Sequence, residues 1–280
     1  MFLFFWIFWF FFGLISCHQQ PEMPVVVVYT SRDRIYSLPI FQLFEKKTGI
    51  RVLADYDTEA NKSVGMVTKL INEKDYPKCD IYWNNQVERT IQLKKKGVLA
   101  PLSSSELSAL DSQFMDPERY WIGFAARARV FIYNTTLLSK DQLPQSILEL
   151  TQPQWKGKFA MAYPLFGTTA SHAAALFHVL GESRAKQFFD DLQKNEVNIA
   201  DGNAMVKEWV VDGVVPLGLT DTDDACLAKF QGKPVDFYFP DQQEGGMGTL
   251  FIPNTVSLIR GAPHPQTAQR FIDFLLSAEV

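Results

Sequence analysis

Five successive residues, Val25-Val26-Val27-Val28-Tyr29, are β-branched or aromatic, with no polar position on either face. Such a run suits a strand buried on both sides, as in the middle of a parallel sheet covered by helices. The chain that follows keeps to that plan. A polar loop at 30–33 leads to an amphipathic helix over 38–47, stopped by Gly49. A second strand at 50–53 precedes a helix over 61–72 whose Val64, Val67, Leu70 and Ile71 share one face. A third strand at 80–83 ends in Asn84-Asn85-Gln86, and a helix over 87–96 stops at Gly97. Strands and helices alternating in this way predict a parallel sheet flanked by helices. Its strand ends expose Thr30, Ser31, Arg32 and Asp33 on one loop and Trp83, Asn84, Asn85 and Gln86 on another. Lys94-Lys95-Lys96, at a helix end, is a solvated face that complements the dipole.

Residues 1–17 stand apart from the fold. Positions 2–12 are almost wholly apolar, too short for a stable span of about 20 residues, and lead into Leu14-Ile15-Ser16-Cys17. That pattern is a secretory signal closing in a lipobox, with Cys17 as the lipid-modified first residue of the mature chain. No Lys or Arg precedes Cys17, so an uncleaved membrane anchor stands as the alternative. Either way the remainder faces a periplasmic or cell-surface space. Roughly 260 residues then remain, room for one large domain or two ordinary ones. With 21% charged residues and a net charge of −4, neither nucleic acid nor anionic lipid is indicated as a partner. Beyond Cys17, Cys79 and Cys226 fall in helix or helix-end patterns and are expected as two unreactive thiols.

The second half repeats the alternation. A strand at 159–164 precedes Gly167-Thr168-Thr169-Ala170-Ser171-His172, which opens a helix of small and apolar residues. A glycine and hydroxyl residues at a helix N-terminus offer unpaired N–H groups and the positive dipole end, which suits phosphate or carboxylate. Thr168, Thr169 and Asn203 are equally ordinary N-caps. A buried strand at 214–217 and a helix over 225–230, stopped by Gly232, bracket the acidic turn Thr220-Asp221-Thr222-Asp223-Asp224. That turn is one wall of a ligand site, since ligands of open α/β sheets gather at strand C-termini; helix capping by Asp221 or Thr222 is the alternative. His172 is expected to pack or cap rather than bind metal. No Gly-x-Ser-x-Gly elbow, His-Glu-x-x-His or phosphate-loop lysine motif occurs, and the adjacent Asp223 and Asp224 would point apart, so no catalytic residue is assigned.

Residues 26–31, 44–52, 79–83 and 97–102 resemble the N-terminal lobe of an extracytoplasmic solute-binding protein of an ABC importer. Residues 121–135 resemble the crossover segment of the branch that holds ferric-ion, thiamine, phosphonate and sugar-phosphate binders, and 153–158 and 248–259 add to the likeness. The resemblance implies a two-lobe periplasmic-binding-protein fold (type II), each lobe a mainly parallel sheet flanked by helices, with a cleft between them. It places 25–126 and 255–280 in lobe one and 127–254 in lobe two, with hinge crossings near 124–128 and 251–256. It further implies helices beyond Val280, an ABC permease in the inner membrane as partner, a monomer, no cofactor, and attachment to the membrane only through the N-terminus. In the ferric-ion binders the turn matching Gly167, Thr168 and Thr169 cradles a synergistic anion, assisted by an asparagine that matches Asn203. Those relatives also carry adjacent tyrosine ligands, whereas this chain has no Tyr-Tyr pair and holds Thr220-Asp221-Thr222-Asp223-Asp224 instead. A two-faced ligand follows. Gly167 to Thr169, with Arg32 and Arg127 or Arg129, receive an anionic group, while Asp221 and Asp223, with Thr220, receive hydroxyls or an amine; for Arg127 and Arg129 a hinge-region salt bridge is the alternative. Ser31 and Asn84 complete the cleft, and Trp83 and Tyr29 either stack on a ring or, as buried strand aromatics usually do, belong to the core. The expected solute is small, anionic and phosphorylated, with ferric ion or a thiamine phosphate as the alternative.

Overall fold

The computed structural model describes residues 23–57 and 64–280. The leader and lipobox readings, Cys17 included, lie outside the described residues, as do positions 61–63 of the second helix. Among the described residues no helix is long and apolar enough to cross a membrane.

The valine run forms β1 (Val25–Thr30), which lies parallel between β2 (Arg51–Tyr56) and β3 (Ile81–Asn84). The crossovers are α1 (Arg34–Thr48), α2 (Val64–Asn72) and α3 (Val87–Lys95). α1 starts four residues before the helix expected at 38–47, and Pro39 lies inside it. The first turn is closed ahead of the proline, with Tyr36 and Ser37 N–H donating to the Asp33 carbonyl at 3.0 and 3.1 Å. β3 begins one residue late because the Asp80 carboxylate turns inward and accepts from Val27 N–H at 2.7 Å.

After the short β4 (Leu99–Ala100) comes the longest strand, β5 (Ile122–Asn134), which joins the two lobes. The second lobe runs β6 (Phe159–Ala162), α4 (Gly167–Leu180), α5 (Glu182–Lys194), β7 (Asn198–Ala200) and α6 (Asn203–Val211). It continues through β8 (Leu217–Asp221), α7 (Thr222–Phe230) and β9 (Val235–Tyr238). β10 (Phe251–Ile259) then returns antiparallel to β5, with Ile252 opposite Arg127 and Val256 opposite Ile122, and α8 (Pro265–Leu275) closes the chain on lobe one. The strand order is β2-β1-β3-β10-β5-β8-β6-β7, so β5 and β10 form the seam between two parallel half-sheets.

The strand expected at 214–217 is displaced. Val214 and Val215 still belong to the turn that ends α6, both donating N–H to the Trp209 carbonyl, and the strand begins at Leu217. Thr220 and Asp221 are therefore buried strand residues rather than members of a loop. Each lobe has its own core. Val26, Val28, Phe44, Phe271 and Ile272 pack together in the first; Phe131, Phe159, Leu176 and Leu217 do so in the second. Full burial of each such side chain contributes about 1.5–3 kcal/mol. Cys79 and Cys226 are free thiols. Cys79 lies in the connection before β3, outside any helix, where burial and then the Asp80 charge push its pKa up.

Candidate functional site

Five strand-to-helix junctions face one another across the lobes: those after β1 and β3 in lobe one, and those after β6, β7 and β8 in lobe two. A cavity of ≈ 90 Å³ lies between them. From lobe one Asp33 and Asn85 reach it, from the seam Arg127, and from lobe two Tyr163, Phe166, Gly167, Thr168, Thr169, Asp201, Gly202, Asn203, Ala204, Asp221 and Asp224. α4 and α6 both start at this cavity, and neither has a side-chain cap at its N-cap residue, Phe166 or Gly202. Their first-turn N–H groups and positive dipole ends therefore point at the space.

At the same helix starts sits a buried polar knot. Arg129, fully buried at 0% exposure, is the cross-strand partner of Asp221 in the β5–β8 ladder. Arg129 Nη1 donates to Asp221 Oδ1 at 2.6 Å, and the other carboxylate oxygen accepts from Thr168 Oγ1 at 2.6 Å and Asn203 Nδ2 at 3.1 Å. Arg129 also donates to Asn203 Oδ1 at 3.1 Å and Thr168 Oγ1 at 3.3 Å, so strand and helix ends are bound in one network.

Contacts also cross the cleft. Arg32 Nη1 pairs with Asp223 Oδ2 at 2.6 Å, Gln86 Nε2 donates to the Gly167 carbonyl at 2.8 Å, and the Ser171 hydroxyl donates to Glu88. Arg127 lies 3.5 Å from both Asp221 and Asp223. Burial works against ionisation of Asp223, but the Arg127 and Arg32 guanidiniums outweigh it and its pKa falls. Asp224 goes the other way: burial first, then the Asp223 and Asp221 charges, push it up to about 7. One helix turn thus carries a firmly charged carboxylate and a neighbour that titrates near neutrality.

A family model described as bacterial extracellular solute-binding protein matches residues 40–280. The chain belongs to that family. An Fe(3+)-binding periplasmic protein of Serratia marcescens is 26% identical over 255 residues, 89% of this chain and 73% of its own length. A Salmonella typhimurium periplasmic protein assigned to 2-aminoethylphosphonate binding is 27% identical over 280 residues, 96% of this chain and 78% of its own. The solved structure of AfuA from Actinobacillus pleuropneumoniae, with exogenous fructose-6-phosphate bound, superposes with a TM-score of 0.78 at 24% identity, covering 91% of this chain and 80% of that one. These relatives are binding proteins, and this member of the solute-binding family is one as well, not an enzyme.

Of the residues named from the sequence, Arg127, Gly167, Thr168, Thr169, Asn203 and Asp221 line the cavity, whereas Ser31, Arg32, Asn84, Thr220 and Asp223 stand behind it. Ser31 Oγ donates to Asn84 Oδ1 at 2.6 Å, and Asn84 Nδ2 donates to Thr90 Oγ1 at 2.9 Å, so this pair ties the two lobe-one loops together. Thr220 Oγ1 donates to the Asn203 carbonyl at 3.2 Å. The stacking role expected of Trp83 or Tyr29 is corrected: Trp83 packs edge-on against Phe41 and Phe124 in the core, and Tyr29 donates to Glu73. His172 is buried, and burial followed by the Arg129 charge lowers its pKa to about 3, which makes it a neutral packing residue. The sequence placed Asp33, Asn85 and Asp224 on the strand-end loops and the acidic turn without naming them as ligand contacts, and Tyr163, Phe166 and Asp201 were not singled out. Asp221 and Asp224 are three residues apart, about one turn where α7 begins, so both reach the cavity while Asp223 between them meets Arg32.

Proposed function

We propose that this solute-binding protein captures a small phosphorylated organic solute that also carries an ammonium group or hydroxyls, and delivers it to an ABC permease in the inner membrane. One observation supports the reading above others. The uncapped N-termini of α4 and α6 and the Arg127 guanidinium border the same cavity as the carboxylates of Asp33, Asp201, Asp221 and Asp224. Backbone N–H groups at a helix start suit a phosphoryl group, and a carboxylate-rich wall suits a donor. A plain oxyanion satisfies only half of such a site; a zwitterion or sugar phosphate satisfies both. The aminophosphonate-binding relative and the fructose-6-phosphate complex of AfuA are in keeping with it.

On the same reading, residues 25–126 and 255–280 close as one lobe against 127–254, bending at the β5–β10 seam where Pro253 faces Ala126. The protein works as a monomer, tethered through a lipid on Cys17.

The iron-binding relatives favour a second reading, in which the carboxylates take a ferric ion as cargo. Against it, the chain has no Tyr-Tyr pair, and among the described residues no group of three or more His, Cys, Asp or Glu is placed to hold a metal.

A thermal-shift screen of the full chain in mild detergent separates these readings, using aminophosphonates, sugar phosphates, thiamine phosphates, inorganic phosphate and ferric citrate. A ligand at 100 times its dissociation constant adds about 2.7 kcal/mol of stability. Stabilisation by a phosphorylated amine or sugar is the expected outcome; stabilisation by ferric citrate alone would overturn it.

A further inference from the structure

The knot around Asp221 has the donors of an oxyanion site, and a carboxylate of the chain already fills it. Arg129 Nη1, Thr168 Oγ1 and Asn203 Nδ2 converge on the two Asp221 oxygens at 2.6, 2.6 and 3.1 Å. Arg129, Asp221 and Thr168 are all nearly inaccessible to solvent. A guanidinium keeps its charge in any protein environment, so Arg129 at this depth requires an anion beside it. In this chain the anion is built in, because Arg129 and Asp221 are register partners on adjacent strands and the sheet itself fixes their separation.

We propose that Asp221 is a specificity-determining residue: its carboxylate occupies the oxyanion subsite made by Arg129, Thr168 and Asn203, shuts free phosphate and sulfate out of it, and turns that wall toward solutes that bring a hydrogen-bond donor. A phosphoryl group is left the backbone N–H groups of α4 and α6 together with Arg127. Both steric occupancy and charge act in the same direction, since a second anion would meet Asp221 and, next to it on the cavity wall, Asp224. The inference deepens the solute-capture reading by naming which end of the solute lobe two accepts. It rests on that reading only for the identity of the cavity as the solute site.

Removing the Asp221 carboxylate converts the knot into a site for inorganic phosphate. Calorimetric titration of the full chain with phosphate therefore compares the parent, Asp221→Ser, and the double variant Asp221→Ser/Arg129→Met. The expected result is an affinity for phosphate at least tenfold higher in Asp221→Ser than in the parent, competed by sulfate and lost in the double variant. A folded Asp221→Ser that gains no phosphate affinity overturns the proposal, as does a parent that binds phosphate equally well. Where Asp221→Ser accumulates unfolded, it is refolded across a phosphate series at constant ionic strength. Recovery with phosphate but not with chloride supports the proposal, and no recovery with phosphate overturns it. None of these readouts involves the native solute, so failure here is distinct from failure of the solute screen on the parent protein.

Discussion

Arg32, on the loop after β1, and Asp223, in the first turn of α7, lie 191 residues apart and meet across the cleft at 2.6 Å. Their side chains are 10% and 13% exposed, so water screens the pair weakly. With Gln86 on Gly167 and Ser171 on Glu88, this pair ties the two lobes together across the cleft.

Breaking that contact favours the open form. Arg32→Ala is expected to shift the closure equilibrium by about 1–2 kcal/mol, as for a partly buried charged hydrogen bond. Small-angle scattering should show a larger radius of gyration for Arg32→Ala and for Asp223→Ala, and a double-mutant cycle should show non-additive effects. An unchanged radius in both variants would mean that the other cross-cleft bonds suffice.

Asp224 makes stability depend on pH near neutrality. Its folded pKa of about 7 lies above the ordinary 3.8, so the folded state holds the proton more tightly. The contribution is complete below 3.8 and is lost as pH rises through 7, on the order of 4 kcal/mol at about 1.4 kcal/mol per pKa unit. His172 acts in the opposite sense. With its pKa lowered from 6.5 to about 3, its contribution is complete above 6.5 and is lost as pH falls toward 3. Melting curves from pH 4 to 8 should therefore show Asp224→Asn flattening the loss of stability on the alkaline side. A parallel profile in parent and variant would remove Asp224 as the titrating group.

Gly218 is required by close packing rather than by backbone conformation. A Cβ there would meet Val206 Cγ1 at 2.5 Å and Val210 Cγ2 at 3.0 Å, where α6 crosses β8. Gly218→Ala should cost about 1–3 kcal/mol through overpacking, and it should disturb Asp221 three residues along the same strand. Differential scanning calorimetry would register a fall in Tm of several degrees.

Asp80 anchors the C-terminal segment to lobe one. Its carboxylate is fully buried and accepts from Val27 N–H at 2.7 Å, from His264 N–H at 2.6 Å and from the His264 ring at 3.0 Å. Asp80→Ala removes the acceptor of three hydrogen bonds from half-buried donors, at a total cost of about 1–3 kcal/mol. Chemical denaturation should give a lower midpoint with the slope unchanged.

The alternation from Val25 to Gly97 was legible because a doubly buried strand and an amphipathic helix leave different local patterns, and β1, β2 and β3 each begin within one residue of the expected place. The strand at 214–217 was misplaced for a local reason: Val214 and Val215 have strand propensity, but the Trp209 carbonyl holds them in the turn that ends α6. Trp83 and Tyr29 looked like ligand aromatics because sequence shows only that they sit at strand ends, not which way they face.

By itself the sequence determined the α/β alternation, the two polar wall segments at 167–169 and 220–224, and the lack of paired tyrosines, because each of these depends on neighbours close in the chain. Only the tertiary structure decided what those walls do. Arg129 and Asp221 are 92 positions apart, and their pairing follows from the β5–β8 register. That register puts Asp221 beneath Arg129, while the facing lobe brings Arg32 to Asp223 and Asp224 is left on the cavity wall. A charged side chain's role depends on its partner, and here Arg129 and Arg32 both arrive from segments far away in the chain.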